Sequence, residues 1–272
     1  MLLALAPAVL LALTPGNLTL ERIFSDPPLD GRAPAALSLS PGGKVVAFLQ
    51  GSAKDSDVQD LWGASLPSGT PALLVSTEQL LGNKEQKLTE QEKMQLERKR
   101  ISKRGITSYL WCGDDAKALV FPLSGDLYYV TLADKNVERL TNDEDKPELN
   151  PVCSKSGKKI AFVKDDAVVV LDVQSKKATR ISAAGSSTHH WGLPEFIAEE
   201  EMDRHEGMWW APDEKSLLVF EVNEDPVGKK TRAQIFADHT EMFEQRYPAA
   251  GEKNALVNAW LISVDGSKKR AL

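Results

Sequence analysis

Residues 153–163 read CSKSGKKIAFV: a small polar opener, a Ser-Gly-Lys reversal, then a strand-length run rich in Ile, Phe and Val. Glycine supplies the positive φ that a tight reversal needs, and the branched and aromatic run suits a pleated, buried surface. The same unit occurs three more times, as LSPGGKVVAF (39–48), WCGDDAKALVF (111–121) and WWAPDEKSLLVF (209–220). A strand–turn–strand signal follows each of the first three: DLWGASLPSGTPALLVS (60–76), GDLYYVTLADKNVERLT (125–141) and DAVVVLDVQSKKATRIS (166–182). Four strands per repeat make a propeller blade. The second and third units lie about 41 residues apart, within the 40–45 usual for four-stranded blades. A β-sandwich does not repeat one turn signature in register, so the expected fold is an all-β propeller. At about 45 residues per blade the length holds four to five blades. The stretch NALVNAWLISVDGSKKRAL (254–272) reads as breaking off within a further hairpin, so an incomplete ring is expected.

Two insertions interrupt the repeat. The first, 83–105, is NKEQKLTEQEKMQLERKRISKRG. Thr89 and Glu92 fit a capping box, and strong helix formers with few apolar residues follow. So polar a helix is expected to protrude as an arm or lie on an edge, with most of its charges in water. The second, 183–210, is AAGSSTHHWGLPEFIAEEEMDRHEGMWW, where a short helix is expected near Pro194 carrying Glu199, Glu200 and Glu201. Consecutive carboxylates repel one another unless a cation sits between them. A bound ammonium group is one such cation; a salt bridge to Arg204 or Arg98 is the plainer alternative.

The formal net charge of −6 argues against nucleic acid as the main partner, because phosphate binding needs a basic face. The leader MLLALAPAVLLALT is of signal-peptide length and too short to span a bilayer, so residues 1–17 are expected to be a signal peptide and the product periplasmic or secreted, with no membrane span. The two cysteines, Cys112 and Cys153, fall at equivalent positions of different repeats. An exported chain could pair them, but equivalent blade positions are expected to lie beyond bridging distance, which favours two buried thiols. His189, His190, His205 and His239 form no ligand set of known spacing, so neither a metal nor another cofactor is expected.

The stretch GLPEFIAEEEMDRHEGMWWAPDEKSLLVF (192–220) closely resembles the double-glutamate motif of the dipeptidyl peptidase IV family, with its paired tryptophans and Ala-Pro-Asp turn. AQIFADHT and RYPAAGEKNALV, within 233–257, resemble the same family. LTLERIFSDPPLDGRAPAALSLSPGG (18–43) and the arm ending ERKRISKRG resemble its bacterial members, so the likeness spans roughly residues 18–272.

The resemblance implies that Glu200 and Glu201 clamp the α-amino group of a peptide substrate. It implies that an arm arginine, Arg100 first and Arg98 second, holds a substrate carbonyl. It implies that Asp203 and Arg204 orient the helix and that Trp209 and Trp210 belong to the blade core. The family's serine sits in a G-x-S-x-G elbow, which this sequence does not contain, and Asp and His follow it. The expected partners are therefore peptide N-termini, a C-terminal α/β-hydrolase domain of the full-length enzyme, and a second copy in a homodimer. The chain by itself is expected to be inactive, with Xaa-Pro and Xaa-Ala dipeptides released by the intact peptidase. A stand-alone periplasmic propeller serving as a protein-binding scaffold is the alternative.

Overall fold

A computed structural model of the chain describes residues 18–25, 29, 31–82, 84, 86–143 and 146–272. The expected signal peptide, 1–17, lies outside the described residues.

A one-turn helix, α1 (Leu20–Ile23), capped by the Thr19 hydroxyl, precedes the first sheet. That sheet runs β1 (Ala35–Leu39), β2 (Val45–Gly51), β3 (Val58–Ser65) and β4 (Ala72–Val75). After β4 the chain leaves through two helices, α2 (Thr77–Leu81) and α3 (Glu90–Arg98). It returns as β5 (Arg104–Gly105), parallel to the start of β3. The second sheet is β6 (Leu110–Cys112), β7 (Ala118–Leu123), β8 (Asp126–Thr131) and β9 (Val137–Arg139). The third is β10 (Leu149–Cys153), β11 (Lys159–Lys164), β12 (Ala167–Asp172) and β13 (Ala178–Arg180). The fourth contains β14 (His189–Trp191), then, beyond a helix α4 (Phe196–Glu200), β15 (Met208–Trp210) and β16 (Ser216–Asn223).

A hairpin of β17 (Lys229–Ile235) and β18 (Thr240–Arg246) follows. The fourth sheet is completed by β19 (Leu256–Ser263) and β20 (Lys269–Ala271). Because β16 pairs directly with β19, the β17–β18 hairpin stands outside the sheet, and its Ile235 and Met242 are exposed.

The repeated turn signature is the connection between the first two strands of every sheet. The stretch 254–272 forms the strand pair β19–β20, and Leu256–Ser263 pairs along its whole length with β16. Among the described residues, four mainly antiparallel sheets of four or five strands result beside the β17–β18 hairpin, which is the propeller arrangement at the lower end of the expected blade number.

Apolar side chains fill each seam between successive sheets. Leu49, Leu61 and Val75 meet Phe121, Tyr128 and Val130 between the first and second. Val120 and Leu127 meet Ile160, Phe162 and Leu171 between the second and third. Val163, Val168 and Val170 meet Trp191, Met208 and Val219 between the third and fourth. Both faces of a middle blade are thus buried, which is why β11 and β12 read as continuous apolar runs rather than as alternations.

Cys112 and Cys153 form a disulfide with their Cα atoms 5.3 Å apart, not the free thiols expected. Their positions are equivalent in the repeat, but they end the first strands β6 and β10, which approach each other closely. The turns beside them also touch. A Cβ on Gly113 would meet Gly157 at 3.3 Å, and both residues hold positive φ. Only glycine fits there without displacing backbone.

A charged seam lies beside the third apolar one. The His190 ring touches Asp166 of the β11–β12 turn at 3.0 Å and Glu224 past β16 at 3.5 Å. Burial alone would lower the imidazole pKa. The hydrogen bonds and charges of Asp166 and Glu224 outweigh burial and raise it to about 9.

Two outcomes are expected. The bond between Cys112 and Cys153 closes a 41-residue separation, so replacing both by serine should lower stability by up to about 4 kcal/mol in urea unfolding. The folded His190 holds its proton more tightly than the unfolded side chain. Its contribution, up to about 3 kcal/mol, is fully present below pH 6.5 and is lost as the pH rises through 9. His190→Gln should flatten that part of the stability–pH curve.

Candidate functional site

The first strand of the fourth sheet is split. β14 pairs with β16 down to Trp191–Glu221, and β15 resumes the pairing at Met208–Val219. Opposite the gap lies Phe220. Its carbonyl accepts from Gly192 N at 2.9 Å, and its amide donates to Gly207 O at 2.8 Å. One residue of β16 therefore pins both ends of the excursion 192–207. The neck is tight: a Cβ on Gly207 would sit 2.5 Å from the Gly192 carbonyl carbon.

Within this loop the short helix expected near Pro194 is α4, and Glu195 is its N-cap. Its carboxylate accepts from the amides of Ile197 and Ala198. A carboxylate at a helix start meets unpaired N–H groups and the positive end of the dipole. Arg204 closes the other end. Its amide donates to Ala198 O at 2.9 Å, and its guanidinium lies 3.9 Å from Glu195 and over the Phe220 ring. Asp203 sits at φ 51° with its carboxylate toward His205. Of the paired tryptophans, Trp210 packs on the core between the third and fourth sheets and donates to Val152 O. Trp209 meets Phe220 edge-on.

The three consecutive glutamates separate. Glu199 is buried, whereas Glu200, the last residue of α4, and Glu201, its C-cap, are exposed. Glu199 pairs with Arg98, the last residue of α3. The Arg98 guanidinium also lies over the Phe196 ring at 5.5 Å. Two excursions distant in sequence thus meet at one ion pair.

The arm reaches this point because it is fastened along its length. The capping box at Thr89 and Glu92 is present. The second Glu92 oxygen accepts from Gly125 N in the β7–β8 turn at 3.0 Å. Gln91 donates to Asp166 and Gln95 to Asn150, which itself donates to His205 O. α3 stands outside the sheets with no buried residue, as its composition predicts. The charges at the end of the arm, in and after α3, are not simply solvated. Arg98 pairs with Glu199, Lys103 with Asp57 and Arg104 with Asp55. Polar side chains reach polar turns here, so a helix with little apolar surface still docks.

Arg100 is exposed. α3 ends in a Schellman pattern, Arg100 N to Glu97 O and Ile101 N to Leu96 O, both 2.9 Å. Arg100 occupies the left-handed position at φ 53°, where glycine is usual.

Between α3 and the first strands lies a cavity of about 380 Å³. Its apolar wall includes Leu96, Ile101, Tyr109, Leu149, Val152 and Met208. Lys99 and Glu206 also line it, and neither had been singled out in the sequence. Lys99 lies in a basic run that gives no hint of which residue turns inward. Burial pulls the Lys99 pKa down, against the charges of Glu199 and Glu206, which raise it. Glu200 and Glu201 do not line this cavity. Among the described residues no group of three or more His, Cys, Asp or Glu side chains could hold a metal, and no helix is long and apolar enough to cross a membrane.

Residues 85–272 match the sequence family described as the dipeptidyl peptidase IV (DPP IV) N-terminal region. A probable dipeptidyl peptidase 4 of Aspergillus clavatus is 28% identical over 167 residues, which cover 58% of this chain and 21% of that protein. A probable dipeptidyl-aminopeptidase B of Emericella nidulans is 27% identical over 120 residues, 39% of this chain and 13% of that protein. The match thus spans about a fifth or less of these relatives' length. The crystal structure of Porphyromonas gingivalis dipeptidyl peptidase 4 superposes with a TM-score of 0.62 over 88% of this chain and 32% of that one, at 16% identity.

Arg98→Ala would leave the Glu199 carboxylate buried beside Lys99 alone. Because Arg98 is about a third exposed, the loss should be ~2 kcal/mol, below that of a fully buried pair. Faster amide exchange confined to 196–201 and the end of α3 is the expected signature.

Proposed function

The chain belongs to the dipeptidyl peptidase IV N-terminal-region family, and on that footing we propose that it is the propeller that admits peptide N-termini to a serine-type dipeptidyl peptidase and anchors them. The observation that carries this reading is the separation of the glutamates. Glu199 is engaged by Arg98, while Glu200 and Glu201, consecutive in sequence, are exposed within the pinned loop. Two adjacent carboxylates complement an ammonium group through charge-assisted hydrogen bonds. Anchoring the amine fixes the register, so the second peptide bond is presented to the nucleophile and Xaa-Pro and Xaa-Ala dipeptides are released. The enclosing wall and the Ser-His-Asp chemistry would come from a hydrolase domain. This chain alone is inactive in this reading.

Arg100 is the guanidinium assigned to the substrate carbonyl. It is exposed just past the end of α3 and makes no ion pair among the described residues. Arg98, already paired, is the weaker candidate. The Cys112–Cys153 disulfide supports an oxidising location, periplasmic or secreted, and with it removal of a leader. A second reading, a protein-binding scaffold, draws its support from the exposed apolar tips Ile235 and Met242 of the β17–β18 hairpin.

The test is a calorimetric titration of the chain with Ala-Pro-Ala amide, which has a free amine and no carboxylate. Binding should be lost on N-acetylation and weakened at least tenfold by Glu200→Gln or Glu201→Gln. Arg100→Gly should weaken binding while raising the unfolding midpoint. Equal binding of the acetylated peptide would reject the anchor, and release of chromophore from an Xaa-Pro substrate by the chain alone would reject its inactivity.

A further inference from the structure

The cavity beneath α3 is separate from the exposed glutamate pair and has its own charges. Its apolar wall is supplied partly by Leu96 and Ile101, brought side by side by the left-handed turn that ends α3. Opposite them stand Val152 near the end of β10 and Met208 at the start of β15. Lys99 is the one lysine or arginine among the lining residues. Glu206 is also a lining residue; it is exposed and its carboxylate has no ion pair within 4 Å among the described residues, while its carbonyl is held by Arg204. The other two lining carboxylates are already engaged: Glu92 by Gly125 and Thr89, Glu148 by Lys164 and Thr141.

The cavity therefore offers one positive and one negative group, not paired with each other, on an apolar chamber of small-ligand size. We propose that it binds an apolar zwitterion of dipeptide size, carboxylate on Lys99, ammonium on Glu206, side chains against Leu96, Ile101, Val152 and Met208. The ligand's carboxylate leaves water only by gaining the half-buried Lys99 ammonium, so a ligand lacking it leaves that group uncompensated, and one lacking the ammonium forgoes the pairing with the exposed Glu206. The partial withdrawal of Lys99 from solvent points the same way: burial disfavours its ammonium, and a ligand carboxylate restores it. The choice of a dipeptide rests on the proposed function, whose product falls in this class; the chamber and its two charges do not. Product leaving the anchor would then have a second site, on the same side of the chain as the arm.

Calorimetric titration of the full chain with Leu-Pro tests this. Leu-Pro should bind, and Leu-Pro amide and N-acetyl-Leu-Pro should each bind at least tenfold more weakly. Lys99→Gln should weaken Leu-Pro and abolish the distinction between acid and amide. Glu206→Gln should do the same for the amine and its acetylated form. Leu96→Trp, which fills the chamber, should prevent binding while the unfolding curve still reports a folded chain. The double variant Glu200→Gln, Glu201→Gln should leave Leu-Pro binding intact. If that variant removes binding and Lys99→Gln does not, the ligand sits on the anchor: the cavity proposal fails and the anchor stands. Absence of Leu-Pro binding at millimolar concentration, or equal binding of acid and amide, also overturns it.

Discussion

The ion pair between Arg98 and Glu199 is the joint on which the site depends. One partner ends a helix that left the first sheet after β4; the other lies in a loop interrupting the first strand of the fourth. Glu199 is nearly inaccessible to water, so its carboxylate needs a compensating charge within contact distance. The pair also continues outward. Arg98 covers Phe196, Phe196 meets Tyr247 edge-on at 5.2 Å, and Tyr247 lies under Arg232 of the hairpin. Arm, glutamate helix and hairpin are therefore held against one another by alternating cations and rings, in the absence of a large apolar interface.

That arrangement explains how three carboxylates in a row are tolerated. Successive residues of a helix point about 100° apart. Placing Glu199 inward turns Glu200 and the capping Glu201 toward solvent, where water screens their repulsion. Glu195 takes the positive end of the same short helix, and Arg204 braces it from behind. A five-residue helix has little stability of its own, so these contacts, together with the two backbone bonds to Phe220, determine where the exposed pair stands.

Much of the fold was legible because a propeller repeats one solution. The turn signature of residues 153–163 returned at each first-to-second strand connection, and the apolar runs marked the strands between. The disulfide was not legible, since equivalence in the repeat suggests separation, whereas first strands of adjacent blades converge. The docking of the arm was equally hidden. Glu92 to Gly125 and Gln95 to Asn150 are polar contacts with turns, and they leave no hydrophobic periodicity to read. The glutamates stood out as a cluster and through their resemblance to a known motif. Which of them is buried depended on a helix only five residues long, and its capping by Glu195 could not be read from Pro194 and the acidic run alone. Lys99 gave no signal, because any of five basic residues in 98–104 could have turned inward.

The covalent tie between the second and third sheets joins their first strands, while their outer parts are joined by an ion pair, Lys176 with Glu138, rather than by a covalent bond. Its position beside the touching Gly113 and Gly157 makes that junction act as the spine of a book. Radial separation of the two sheets is blocked at the spine, and the relative movement left to them is angular, widening toward the outer edges. A stretch applied at the rim would accordingly be felt first by the outer pairs, β8 with β9 and β12 with β13, and last near the hub where the arm and the cavity lie.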